Sequence, residues 1–463
     1  MKLYNTMSMK KEEFIPLEDG VVRIYACGPT VYDFFHIGNA RPFIVFDVLR
    51  RFLAHCGYNV IFVQNFTDID DKMINRANAE GITVAELAER FIAEYYTDAR
   101  GLGILEATHH PKATENIDAI IKLVETLIDK GYAYTSDGDV YFSTSAFAGY
   151  GKLSHQPLDD LKEGARISVG ERKRDAMDFA LWKNKKEGEP FWESPWGEGR
   201  PGWHIECSAM ANKYLGQTLD IHCGGKDLIF PHHENEVAQS ECANGAPFAR
   251  YWMHNAYINI DNKKMSKSEN NFFTVRDISR EYGYEAVRFF ILSAHYQSPL
   301  NFSRVLIEQA QAGLDRIYTC IDSLNFLRQT EAADVSDSER AVMEGGYVEK
   351  FTAELEDDLN TANAISQVFN FVRDINAVIS DVGAHSAAFI GYCLDTFAVF
   401  GNILGLFKKE SGSLDDEIKD LIEQRQQARA QRDFALADTI RDGLLKRGII
   451  LEDTPQGVKY RVK

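Results

Sequence analysis

KMSKS, residues 264–268, sets two lysines and two serines around one methionine. Two cations and two hydroxyls so close together suit a polyphosphate; a solvated basic loop is the ordinary alternative. A chance five-residue match in a chain of this length is on the order of one in ten thousand. HIGN, residues 36–39, places an imidazole and an amide, His36 and Asn39, nine residues after Cys27. Metal-ligating chemistry is offered by Cys27, by Cys207 in GWHIECSAM, and by His232 and Glu236 in FPHHENEVAQ. The last two are four apart, on one face of a helix that Pro231 could begin. Two thiolates, an imidazole and a carboxylate are a zinc-type set. Their spacing matches no local finger, so buried cysteines and a helix-capping histidine remain an equal reading.

These residues need elements to hold them. VVRIYACG (21–28) is a β-branched run ending in a Cys-Gly-Pro turn and reads as a buried strand. Residues 37–57 carry apolar side chains at helical spacing and end on Gly57, a good capping position. YNVIFVQNF (58–66) is a second strand, so the three form a βαβ unit in a parallel sheet. HIGN then lies at the carboxyl end of that sheet, where helix N-terminal amides favour phosphate; an ordinary helix cap explains it as well. Residues 114–131 form an amphipathic helix and 132–145 a hairpin about an Asp-Gly turn. This segment, to about residue 195, reads as an insertion between two halves of the sheet, and strand–helix logic resumes over 216–243. Beyond residue 300 the chain is helical, as in 304–328, and successive helices predict a bundle. Residues 408–417 read as a linker to a small basic terminal domain, and there is no internal repeat.

A length of 463 residues predicts three or four domains, and 45% hydrophobic with 26% charged residues suits a globular core. The net charge of −18 argues against general nucleic-acid affinity. From 424 to 463, however, nine Lys/Arg stand against five Asp/Glu, for which a helix-rich tail with solvated charges is the ordinary reading. No run approaches the ~18 apolar residues of a membrane span, and MKLYNTMSMKKEEF lacks a secretory apolar segment. Seven scattered cysteines imply a reducing cytoplasm. Cys56, Cys242, Cys320 and Cys393 sit in apolar helical surroundings and are expected in the core.

HIGN at a strand-to-helix turn, with KMSKS over two hundred residues later, resembles the class I aminoacyl-tRNA synthetases. The resemblance implies an α/β fold: a split dinucleotide-binding (Rossmann-type) parallel-sheet domain with an insertion, then an α-helical bundle and a small C-terminal domain. It implies ATP, with magnesium, bound by His36, Asn39, Lys264, Ser266, Lys267 and Ser268, the lysines meeting the departing pyrophosphate. CGPTVYDFFHIGNARPF, NFTDIDDKMI, GWHIECSAM, GGKDLIFPHHENEVAQ and KMSKS, in this order, resemble the cysteinyl-tRNA synthetase family. In that family the positions of Cys27, Cys207, His232 and Glu236 hold one zinc ion in the amino-acid pocket. The implied reaction activates L-cysteine with ATP to cysteinyl-adenylate and pyrophosphate, then transfers cysteine to the 3′-terminal adenosine of tRNA(Cys).

Zinc would distinguish the cysteine thiolate from serine, which shape alone separates only ~10–200-fold. Thr67 and Trp203 resemble family positions lining the pocket, though either serves equally as a fold residue. Asp227 meets the substrate ammonium or holds a turn. Cys223 lies near the site without matching a ligand position. The resemblance divides the chain into a first catalytic half (1–114), an insertion (115–200), a second catalytic half (201–250), a KMSKS-bearing stem-contact region (251–303), a helical bundle (304–407) and an anticodon-binding domain (418–463). Two departures stand out. Asn39 replaces the class histidine, and Tyr460 replaces a frequent tryptophan while keeping an aromatic face for stacking. The expected protein is a cytoplasmic monomer with no membrane partner. Two rivals are a ligase joining cysteine to an amino sugar, which has no use for the basic tail, and a non-catalytic zinc-bearing RNA-binding paralogue, which has no use for HIGN and KMSKS.

Overall fold

The computed structural model describes residues 1–156, 173–264, 273–328, 334–380, 384–408, 416–447, 449–454 and 457–462. Of KMSKS only the Lys264 backbone falls within them. Tyr460 is described in backbone alone.

The chain forms two compact units, one of residues 1–308 with 354–362, the other of 309–353 with 363–463. In the first, four parallel strands run side by side in the order Ala249–Asn255, Leu219–Gly225, Val21–Ala26, Asn59–Gln64. Val21–Ala26 is followed in sequence by its neighbour on one side, while the neighbour on its other side arrives nearly two hundred residues later. That reversal makes a crevice at the carboxyl ends of Val21–Ala26 and Leu219–Gly225, where open α/β sheets bind ligands. Leu219–Gly225 is buried along its whole length, as a central strand covered on both faces must be. The helix Ile37–His55 crosses between the first two strands as expected, and Gly57 follows it at φ +93°.

Between the halves of this sheet, the helix Ile117–Asp129 packs with four antiparallel strands, Ala133–Ser136, Asp139–Phe142, Phe179–Asn184 and Gly199–Pro201. Asp137 and Gly138, both at positive φ (+49° and +88°), make the turn of the first hairpin. After the parallel sheet, Ile258–Ile260 pairs with Lys263–Lys264 and with Leu300–Phe302.

The second unit is built from helices, among them Asp337–Met343, Thr361–Ile379 and Ala387–Leu404. It ends in the helices Asp416–Ala430 and Phe434–Lys446 and a hairpin, Ile449–Thr454 with Gly457–Val462. Ile440, Leu444 and Ile449 form the small core there. Arg425 reaches both Asp453 oxygens at 2.7 and 2.9 Å, tying helix to hairpin.

Two expectations fail. Ala387–Leu404 does have the length and mean hydropathy, 1.5, of a membrane span. Its Phe389, Ile390, Cys393, Phe397 and Phe400 are buried, and Phe397 (tilted) and Phe400 (edge to face) pack against Phe371, so the apolar face serves the bundle core. Cys56 is exposed, because it caps the helix end beyond the last buried turn, whereas Cys242, Cys320 and Cys393 are buried as expected.

Asp47, on the Ile37–His55 helix, accepts from Arg50, Arg51 and Arg288 at 2.9, 2.7 and 2.7 Å and from the Leu105 amide. Burial raises its pKa, but the three guanidiniums prevail and hold it at about 2. Asp47→Asn removes the buried carboxylate charge that Arg50, Arg51 and Arg288 all face and is expected to cost about 3–5 kcal/mol in denaturant unfolding. In the parent protein the carboxylate's contribution is present above about pH 4 and is lost as pH falls towards 2.

Candidate active site

Cys27 follows the last residue of Val21–Ala26, at the crevice. Gly28 is required behind it, since a Cβ there would stand 1.7 Å from the Asn65 carbonyl oxygen. Asn65 closes the turn by accepting from the Gly28 amide at 2.9 Å. Cys207 lies on the helix Trp203–Leu215. His232 and Glu236 approach differently from expectation. Pro231 does not start the helix, which runs Glu234–Asn244; Ile229–His233 forms a wider turn ahead of it, with Phe230 extended (φ −135°, ψ 133°). Helical geometry resumes by His233, so His232 Nε2 still lies 3.1 Å from Glu236 Oε1.

These four side chains, all buried, bring their ligand atoms within 4.8 Å of one another. Cys27 Sγ lies 3.9 Å from Cys207 Sγ and 3.5 Å from Glu236 Oε1. A tetrahedron with sulfur at 2.3 Å and nitrogen or oxygen at 2.0–2.1 Å has edges of about 3.8 Å between sulfurs and about 3.3 Å between the harder donors. The donor set and its spacing therefore fit a tetrahedral metal ion.

The ligands polarise one another. Cys207 is held down to about 6, first by the hydrogen bond from the Cys27 thiol, while burial pushes Cys27 itself well up. Burial opposes charge on His232, yet the Glu236 carboxylate and the Cys207 sulfur lift it to about 10. Burial likewise opposes charge on Glu236, but His222 and His232 hold it at about 2. Thiolate, imidazole and carboxylate groups already competing for protons are the groups a divalent cation displaces protons from.

Residues not singled out by sequence surround this cluster. His222 Nε2 meets Glu236 Oε2 at 2.8 Å, and His204 Nδ1 meets His232 Nδ1 at 2.9 Å. His233 Nε2 lies 3.2 Å from Cys27 Sγ, and its Nδ1 bonds His254, which in turn bonds Thr6. Cys27, His222, His233 and Glu236 form a second possible ligand group. It shares two members with the first, so one ion can use only one group. The first has two soft thiolates and leaves His222 to orient Glu236, the usual place of an outer-shell histidine. A histidine set between apolar Ile221 and Cys223 in TLDIHCGG was the available signal for His222.

The remaining predicted residues divide. Trp203, 41% exposed, stacks on His232 with ring centres 4.2 Å apart. With His204 it lines a cleft of about 570 Å³ that also includes Ile69, Asp70, Lys183 and Arg200. Thr67 is buried, and its hydroxyl donates to Glu206 and accepts from Asn65. Asp227 is exposed in the turn Lys226–Leu228, its carboxylate folded over Gly225. Cys223 is buried in the strand and donates to the Tyr25 carbonyl. His36 caps the Ile37–His55 helix by accepting from the Asn39 amide at 3.2 Å, so the capping reading holds whatever else His36 does. His36 also pairs with Thr274, and the Ile37 amide donates to Phe273, just beyond the KMSKS stretch. Lys264 ends the Ile258–Lys264 hairpin, while Ser266, Lys267 and Ser268 lie outside the described residues.

Residues 13–312 match the family described as the tRNA synthetases class I (C) catalytic domain. Residues 350–408 match the DALR domain and 411–461 the cysteinyl-tRNA ligase anticodon binding domain. Among solved structures, a Mycobacterium tuberculosis methionyl-tRNA synthetase bound by methionyl-adenylate aligns with TM-score 0.63 at 16% identity, covering 90% of this chain and 96% of that one. A leucyl-tRNA synthetase of Agrobacterium radiobacter K84, in a ternary complex, aligns with TM-score 0.62 at 10% identity, covering 85% of each. Sheet, insertion and crevice are thus those of a class I aminoacyl-tRNA synthetase. A cysteine–tRNA ligase of Caldicellulosiruptor saccharolyticus is 58% identical over the full length of both chains. The chain belongs to the cysteinyl-tRNA synthetase family, and it is an aminoacyl-tRNA ligase.

Proposed function

We propose that the chain activates L-cysteine with ATP at the crevice, and that Cys27, Cys207, His232 and Glu236 hold one zinc ion that selects cysteine against serine. The observation carrying this is the convergence of two thiols, an imidazole and a carboxylate at tetrahedral-edge distances. Bound there, zinc would supply a soft position that prefers a thiolate to a hydroxyl. The protein's own groups do the rest. His222 and His204 orient Glu236 and His232 through their outer atoms. Trp203 provides an apolar wall beside the ligand cluster. Thr67 supports that pocket from within through Glu206 and Asn65, and Asp227 offers a carboxylate to the ammonium at the end of the central strand. His36, Asn39 and the helix N-terminus behind them receive the triphosphate of magnesium–ATP. Lys264, Ser266, Lys267 and Ser268 neutralise the leaving pyrophosphate. Cysteine then passes to the 3′-terminal adenosine of tRNA(Cys), and the chain works as a cytoplasmic monomer without a membrane partner. Charging of total tRNA with cysteine, coupled to AMP release, tests this directly. Equal charging with serine, or full activity in zinc-free protein, would refute the zinc assignment.

The basic tail gives a separate expectation. Removing residues 418–463 should spare cysteine-dependent ATP–pyrophosphate exchange, while charging falls mainly through a raised KM for tRNA. Charging by the intact chain should weaken with added salt, because lysines and arginines displace counterions from phosphates. A truncated protein that unfolds cooperatively and charges tRNA normally would contradict the assignment.

A further inference from the structure

Arg41 lies five residues after His36 and is completely buried. Its Nη1 donates to the carbonyls of Ala256 and Tyr257, both at 2.9 Å. Its Nη2 donates to those of His295 and Ser298 at 3.1 and 2.6 Å. No carboxylate pairs with it among the described residues. Burying a cation against carbonyls alone costs free energy that an apolar side chain of similar size would not. The guanidinium must therefore do something packing does not, and its planar fork fixes two pairs of acceptors from separate segments in one geometry.

Those segments are the two approaches to the small sheet. Ala256 and Tyr257 lead into Ile258–Ile260, which turns back through Lys263–Lys264. His295 to Ser298 lead into Leu300–Phe302, which pairs with the same strand. The loop has two further ties: Gln297 accepts from Lys226 Nζ at 3.1 Å, beside Asp227, and Tyr296 donates to Asp358 at 2.7 Å. The chain returning after the KMSKS stretch is held independently, by the Phe273–Ile37 and Val275–Phe35 backbone bonds. One buried side chain on the HIGN helix thus sets the base of the hairpin that ends at Lys264.

We propose that Arg41 is a positioning residue for adenylate formation, holding the HIGN turn and the Lys264 hairpin at the separation the transition state requires, with Lys226 as a weaker second tie. This rests on the reading that HIGN and KMSKS bind ATP. A misplacement of ~1 Å costs about a hundredfold in rate, and a lysine supplies the charge without the fork. In the full-length, zinc-loaded protein, Arg41→Lys should therefore slow single-turnover adenylate formation about ten- to a hundredfold. Cysteine affinity and bound zinc should stay within about twofold of the parent, since neither ligand set includes Arg41. Lys226→Met, at a half-buried position, should give a several-fold loss of the same kind, and it keeps the inference testable if Arg41→Lys does not fold. His36→Ala is run beside them. If it leaves the rate unchanged, the ATP reading fails and the inference with it. If it slows the reaction while folded Arg41→Lys matches the parent, Arg41 alone is refuted. Parallel losses of rate, cysteine affinity and zinc in Arg41→Lys would reduce it to a core residue, and an unchanged rate in Lys226→Met where Arg41→Lys is unfolded would equally overturn the proposal.

Discussion

Cys207→Ser is expected to strip the protein of zinc and of cysteine activation together. Cys207 is buried 3.9 Å from Cys27 and is the more acidic thiol of the pair, held down to about 6. Serine keeps the size but replaces an anionic, soft donor with a neutral, hard one. Changes to outer-shell partners alone typically weaken metal sites ~10–100-fold, so loss of a ligand should exceed about a hundredfold. Elemental analysis after dialysis should find little zinc, and cysteine-dependent ATP–pyrophosphate exchange should fall in step. What activity remains should discriminate cysteine from serine no better than pocket shape permits, ~10–200-fold. His222→Ala provides a graded companion, because Glu236 keeps its ligand oxygen and loses only the 2.8 Å bond to Oε2. A folded Cys207→Ser protein with full exchange activity would remove the metal from the mechanism.

Lys267→Ala is expected to slow adenylate formation by about 10²–10³ while leaving cysteine affinity unchanged. A cation facing pyrophosphate matters most as charge builds on the leaving group, and interactions made only in the transition state are read in the rate constant. Pre-steady-state adenylate formation compared with equilibrium cysteine binding separates the two. Equal losses in both would make Lys267 a structural residue. Its effect should differ in kind from that of Cys207→Ser, since the proposed function sets Lys267 at the leaving pyrophosphate and Cys207 at the cysteine side chain.

By itself the sequence determined what short-range chemistry controls. Val21–Ala26 is a strand because β-branched and aromatic residues fit a pleated, covered surface, and Ile37–His55 is a helix because its apolar residues recur at helical spacing. Asp137-Gly138 turns the insertion hairpin because both positions take positive φ. HIGN and KMSKS were legible as short strings whose residue types suit phosphate.

The cluster of Cys27, Cys207, His232 and Glu236 was not legible in that way. Cys27 and Cys207 lie 180 residues apart in the chain, and only a resemblance grouped them. What brings them together is strand order: Val21–Ala26 takes Leu219–Gly225 as its neighbour, so the ends of both strands and the helices beside them face one crevice. Tertiary structure alone also decided that His222 bonds Glu236 and His204 bonds His232 from behind, and that Arg41 spends its charge on four carbonyls. It placed Cys56 in solvent and turned Pro231 into part of a wide turn rather than a helix start. Local preferences act over a few residues, whereas these contacts follow from packing across a sheet whose order the local pattern does not encode.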